Sequence, residues 1–135
     1  MNSSTVTALL VVPHGDAAPG ETAVSIGVVL DNAIVAWSRC QLGSQPPAAH
    51  ELLSLVETRL LPALQAAPLA TFRAAAARLA ALDVPAPLRR AVEESLLAAV
   101  ASRDGVTRAE LICREYALPP AGEVPPLYAA LADDR

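Results

Sequence analysis

Apolar positions alternate along the first third of the chain and recur at helical spacing after it. Val6 to Pro13 is a run rich in β-branched residues. His14 to Gly20 is loop by composition, with two glycines and a proline. Thr22 to Leu30 alternates again and is rich in Val and Ile. Asp31-Asn32 follows, between two such runs, and both residues tolerate positive φ, which signals a tight hairpin. Ala33 to Cys40 is the expected return strand. The product is a three-stranded antiparallel meander over residues 1–40.

The period changes at Gln41 to Pro47. From there Leu52, Leu53, Val56, Leu60 and Leu64 share one face of a helix that Pro62 kinks or ends. Pro68 and Thr71 open a second helix through Leu82, with Phe72, Ala76, Leu79 and Leu82 inward. Leu88, Val92, Leu96, Ala99 and Val100 mark a third, opened by Pro85 and Pro87 and ended by Asp104-Gly105. Thr107 with Glu110 three positions on forms a capping box for a fourth, which runs to about Tyr116. Pro119 to Pro126 is an extended, proline-rich exit. Strands followed by helices read as α+β, with the helices on one face of the sheet. The division is a meander over 1–40, a helical part over 47–117 and a tail over 118–135, all within one domain, as expected for 135 residues.

Composition narrows the function classes. Hydrophobic residues make up 53% of the chain and aromatics only 3%, so the core is built from Ala, Leu and Val and depends on close packing. There is no lysine; all ten basic residues are arginines spread along the chain, and the net charge is −4. That distribution argues against a nucleic-acid partner, which needs clustered base. No apolar run is long enough to span a membrane. The start of the chain lacks the basic segment of a secretory signal. Cys40 and Cys113 are far apart and form no CxxC, so both are expected as small buried hydrophobes in a reducing cytoplasm.

Three stretches resemble one family. Glu21–Leu30 with Asp31-Asn32 and Ala33–Cys40 is similar to the second and third strands of the methylaspartate ammonia-lyases, whose third strand also ends in cysteine. Ala91–Ala101 followed by Gly105–Pro119 resembles the family's helix and the capped helix after it. Val124–Arg135 is similar to its linker into the catalytic barrel. The resemblance runs from about Glu21 to Arg135 and implies the lid domain of an enolase-superfamily enzyme. It implies further that the loops His14-Gly15-Asp16 and Gln41, Gly43 and Ser44 face a substrate. The chain departs from the family where its linker carries a substrate-binding glutamine: Ala130 stands there, followed by Leu131 and Ala132. The second loop is short, and the family's metal-binding carboxylates and its Lys and His bases belong to a barrel that this sequence does not include.

The remaining candidates have plain readings. His14 is a possible acid–base group but has no carboxylate or nucleophile in reach by sequence, which favours a solvated loop residue. His50 and the Glu93-Glu94 pair fit helix surfaces. Asp16 and Glu21 flank a loop without the spacing of a phosphate cradle. Asp133 and Asp134 fit a solvated terminus. Trp37 fits half-buried packing on the third strand. No metal site, cofactor site or catalytic set emerges. The functional expectation is an accessory lid for a separately encoded barrel; the alternatives are a stand-alone binding or scaffold protein and a fragment of a lyase. A start at Met favours a complete small protein. The mean hydropathy of +0.39, high for a small domain, suggests a covered surface. A homodimer or a complex with a barrel protein is therefore expected, with Leu127, Tyr128 and Leu131 at the contact.

Overall fold

The computed structural model describes residues 3–13, 23–43 and 48–118. Three strands, β1 (Val6–Pro13), β2 (Ala23–Leu30) and β3 (Val35–Gln41), form an antiparallel sheet in the order β1-β2-β3. The helices follow: α1 (Ala49–Leu55), a π-helical turn (Val56–Leu60), α2 (Leu61–Gln65), α3 (Phe72–Ala80), α4 (Ala86–Asp104) and α5 (Arg108–Glu115). The α+β architecture expected from the change of period is the one observed.

The hairpin between β2 and β3 differs in detail from its sequence signal. Its loop is Asp31-Asn32-Ala33, and the positive φ, 69°, falls on Ala33 rather than on Asp31 or Asn32. The Ala33 N–H donates to Leu30 O, the Leu30 N–H donates to Ile34 O, and Asn32 Oδ1 accepts from the Ile34 N–H at 3.2 Å. Asn32 thus supports the turn through its side chain. The return strand starts at Val35, because Ala33 is spent on the turn.

Pro62 neither ends nor interrupts the first helix. The turn before it widens, and the Leu61 N–H donates to Val56 O, five residues back. A π turn absorbs a proline in this way, since the missing N–H and the ring both need a looser ladder. Leu52, Val56, Leu60 and Leu64 are buried as expected, but Leu53 is 45% exposed. In α3, Ala75 is buried in place of the expected Ala76, which is only partly covered, and the helix ends at Ala80 rather than Leu82. The Thr71 hydroxyl caps it by accepting from the Ala74 N–H at 3.1 Å.

The long helix α4 lies across β2 and β3. Leu88, Val92, Leu96, Ala99 and Val100 are buried against Ile26, Val28 and Leu30. Two hydroxyls fasten it to the sheet. Ser95 Oγ lies 2.9 Å from Ile26 O and 2.6 Å from Ser38 Oγ, which lies 2.5 Å from Ala91 O. Gly105, at φ 68°, ends the helix. The Val106 N–H reaches Ala101 O and the Gly105 N–H reaches Ser102 O, which is a Schellman closure. The Thr107–Glu110 capping box is present with both of its bonds, at 3.1 and 3.2 Å.

One arginine joins three segments. The Arg103 side chain is nearly fully buried and pairs with Asp104 at 2.8 Å. It also donates to Ser4 Oγ, Leu69 O and Ala70 O. The same segments meet through the paired backbones of Ser4 and Leu69. Opposite, Glu115 at the end of α5 accepts from the Phe72 and Arg73 N–H groups, capping α3 from another helix.

Candidate functional site: the loop end of the sheet

Pairing at one end of the sheet places Pro13 beside Val24 and Ala23 beside Gln41. The β1–β2 connection and the β3–α1 connection therefore leave from the same end. His14, Gly15, Asp16 and Ser44 belong to these connections and lie outside the described residues, as do Leu127, Tyr128 and Leu131 in the tail. Gln41 is exposed at the end of β3. Gly43 has φ 79° and nothing near its Cα where a side chain would go, so its backbone conformation, not crowding, calls for glycine.

At this end of the sheet, against the start of the first helix, is an apolar pocket of about 260 Å³ lined by Val11, Pro13, Val24, Leu42, Leu52 and Leu53. Leu53 is exposed because it forms this wall rather than the core. A second cleft, about 420 Å³, opens around the corner between β3 and the start of α4. Arg39, Gln41, Arg90 and Glu94 line it, with Cys40 and Pro87. The sequence did not reveal this arginine pair: the two residues are far apart along the chain, and only α4 packing on β3 brings them together. Two guanidinium groups beside one carboxylate suit a ligand bearing a carboxylate.

Other candidates stand apart from both clefts or from any chemistry. His50 is exposed near the start of α1. Glu93 faces Arg89 at 3.9 Å. Cys40 is buried, and desolvation pushes its thiol pKa up, so it is a poor nucleophile. Cys113 is only partly buried, contrary to the expectation for both cysteines; it sits on α5, whose one buried residue is Leu111. Among the described residues no three His, Cys, Asp or Glu side chains gather as a metal site. Among them, too, no helix is long and apolar enough to cross a membrane.

Residues 3–117 match the family model of the methylaspartate ammonia-lyase N-terminus. Among solved structures, the chain is similar to a mandelate racemase/muconate lactonizing enzyme from Bordetella bronchiseptica RB50. The two share a TM-score of 0.59 and 25% identity over 77% of this chain and 32% of that one. It is also similar in fold to a muconate cycloisomerase from Azorhizobium caulinodans, with a TM-score of 0.62 and 21% identity over 83% of this chain and 31% of that one. The chain thus spans about a third of the length of these enzymes. No curated protein sequence matches significantly.

Proposed function

The chain belongs to the family of methylaspartate ammonia-lyase N-terminal domains, and from that premise we propose that it serves as a non-catalytic lid for a separately encoded barrel. The observation that supports this reading is that β1 and β3 both end at one end of the sheet, beside an apolar pocket lined by Val11, Pro13, Leu42 and Leu53. A lid excludes water and shapes the mouth of a site, while the catalytic groups sit at the top of the barrel. Val11, Leu42 and Leu53 would give such a lid a dry rim. The test adds the purified chain to a methylaspartate ammonia-lyase barrel whose own N-terminal domain has been deleted. Co-elution and partial recovery of methylaspartate deamination, with no turnover by the chain alone, are expected. A folded barrel that neither binds the chain nor gains activity would sink the reading.

The cleft of Arg39 and Arg90 favours a second reading, a stand-alone protein that binds a carboxylate without any barrel. The substitution of Ala130 for the family's glutamine agrees with it. Calorimetric titration of the chain with methylaspartate separates the two: binding that Arg90→Ala abolishes supports this reading, and no heat supports the lid.

A further inference from the structure

We propose that the outer face of the sheet is a self-association surface on which a second copy of this chain seats face to face. An antiparallel sheet with one packed face ordinarily turns polar residues to the other. Here the alternation fails. Leu10, Val12, Val35 and Trp37 are all exposed on the side away from the helices, and Gly27 and Val29 fill the middle strand between them. Four of the seven large exposed hydrophobics among the described residues gather on this face. Trp37 lies over Gly27, so the indole is spread along the sheet as a broad apolar plate.

Charge placement selects a second copy as the occupant. Arg39 stands at the loop end of β3 in the same outward register as Val35 and Trp37, at the sheet edge where its side chain also borders the Arg90 cleft. Asp31 stands at the hairpin end, and both residues are exposed. Neither side chain makes an ion pair among the described residues. A two-fold axis lying between the sheets and perpendicular to the strands sets β3 on β3. The Arg39 end of each copy then meets the Asp31 end of the other, and the two indoles lie near the axis. An axis along the strands would instead lay β3 on β1 and carry Arg39 to the Pro13 end of β1, where no acidic side chain stands among the described residues. A closed two-fold pair uses the same patch twice, which a patch with opposite charges at its two ends satisfies.

Area sets the strength. Three strands at sheet spacing give a footprint of roughly 300 Å², so a pair buries about 800–1,000 Å² in total once side chains are counted. That is the lower end of specific interfaces, and the association is correspondingly weak and concentration-dependent. It uses the face of the sheet, not its loop end, and so does not depend on the lid role.

Sedimentation velocity of the full chain from about 1 to about 300 µM, a range suited to so small an interface, tests the proposal alongside tryptophan emission. Trp37 is the only tryptophan, so its emission reports this face alone. A monomer–dimer equilibrium is expected, with emission moving to the blue in step with dimer fraction. Leu10→Arg should abolish the dimer with the circular dichroism spectrum unchanged, since it would bury an unpaired charge. Arg39→Glu and Asp31→Arg should each weaken it about tenfold or more and together restore it. If Leu10→Arg unfolds the chain, the charge-swap pair decides. A monomer throughout overturns the proposal. So does a dimer with unmoved emission, as edge-to-edge strand pairing would give, or a dimer lost when Leu127 and Tyr128 become serine.

Discussion

The indole of Trp37 rests on the bare backbone of Gly27, its cross-strand partner: a methyl group at Gly27 would come within 2.8 Å of the ring. Glycine inside a strand is ordinarily a weakness, because it packs nothing and gains the most entropy on unfolding. Here its missing side chain is the seat of the ring. Gly27 is itself buried on a face that is otherwise open, and Trp37 is the cover.

Gly27→Ala therefore displaces the ring. The atoms that would clash are at its far edge and can swing into solvent, and alanine offsets part of the loss through its better strand propensity. Stability should change by less than about 1 kcal/mol. The sensitive readout is optical: Trp37 emission should shift to the red, and acrylamide quenching should rise. Unchanged emission would show that the ring was not held by this contact.

Backbone sign offers a cleaner stability test. Ala33 has φ 69° and Ala117 φ 54°, and both close turns with left-handed geometry. Ala33→Gly and Ala117→Gly should each stabilise by about 0.5–1 kcal/mol by relieving steric strain, less the entropy that glycine adds to the unfolded chain. The two sites share no hydrogen-bond partner, so their effects should add. Gly105→Ala, at φ 68° in the closure of α4, should go the other way by about 1 kcal/mol. Urea melts of the three variants check the signs.

The local parts of this structure were the readable ones. The bounds of β1, the Thr107–Glu110 box and the Gly105 closure each depend on a few neighbouring residues. Their chemistry is complete within a turn, so it is visible in order along the chain. The hairpin shows the limit: Asp31-Asn32 marked the turn, but loop length moved the strained residue to Ala33. Leu53 shows another, since helical period alone cannot separate a core face from the wall of a pocket. Arg39 with Arg90, and Glu115 with the start of α3, are unions made by packing. Nothing short of the fold could have paired them. The resemblance implied that the loops of His14 and of Gln41 face a substrate; the register adds that Pro13 and Gln41 stand at one end of the sheet, while Trp37 on its outer face looked like ordinary packing.

The Arg103 junction should prove costly to break. Its guanidinium holds Ser4, Leu69 and Ala70 together and neutralises Asp104, which Arg114 also contacts at 2.6 Å. Arg103→Ala would take this donor from the carbonyls of buried Leu69 and exposed Ala70 and leave the Asp104 carboxylate without its buried cation, and should cost roughly 1–3 kcal/mol. Arg103→Lys keeps the charge but loses the planar fork, so it should recover less than about half of that. Arg114→Ala, on an exposed side chain, should cost under about 1 kcal/mol. Chemical denaturation measures all three. Equal losses for Arg103→Ala and Arg114→Ala would mean that charge balance at Asp104, not the carbonyl contacts, is what matters.

Cys40 supplies a pH dependence whose sign follows from its burial. Desolvation raises its thiol pKa in the folded chain above the unfolded value. Below the unfolded value the thiol is neutral in both states and its contribution to stability is complete. As pH rises past that value, the unfolded chain releases the proton while the folded chain keeps it. Stability is then lost progressively until the folded pKa is reached. Cys40→Ala removes the titration and costs some packing. The wild type should therefore be the more stable of the two at pH 7, and its advantage should shrink through the alkaline range above the ordinary thiol pKa. Thiol reagents provide the companion measurement. At pH 8 Cys113, which is only partly buried, should label quickly, and Cys40 should label only as fast as the chain opens. Denaturant should speed the labelling of Cys40 far more than that of Cys113. Equal rates for the two cysteines in native buffer would mean that the sheet opens at Cys40 without unfolding, and the alkaline loss of stability should then be absent as well.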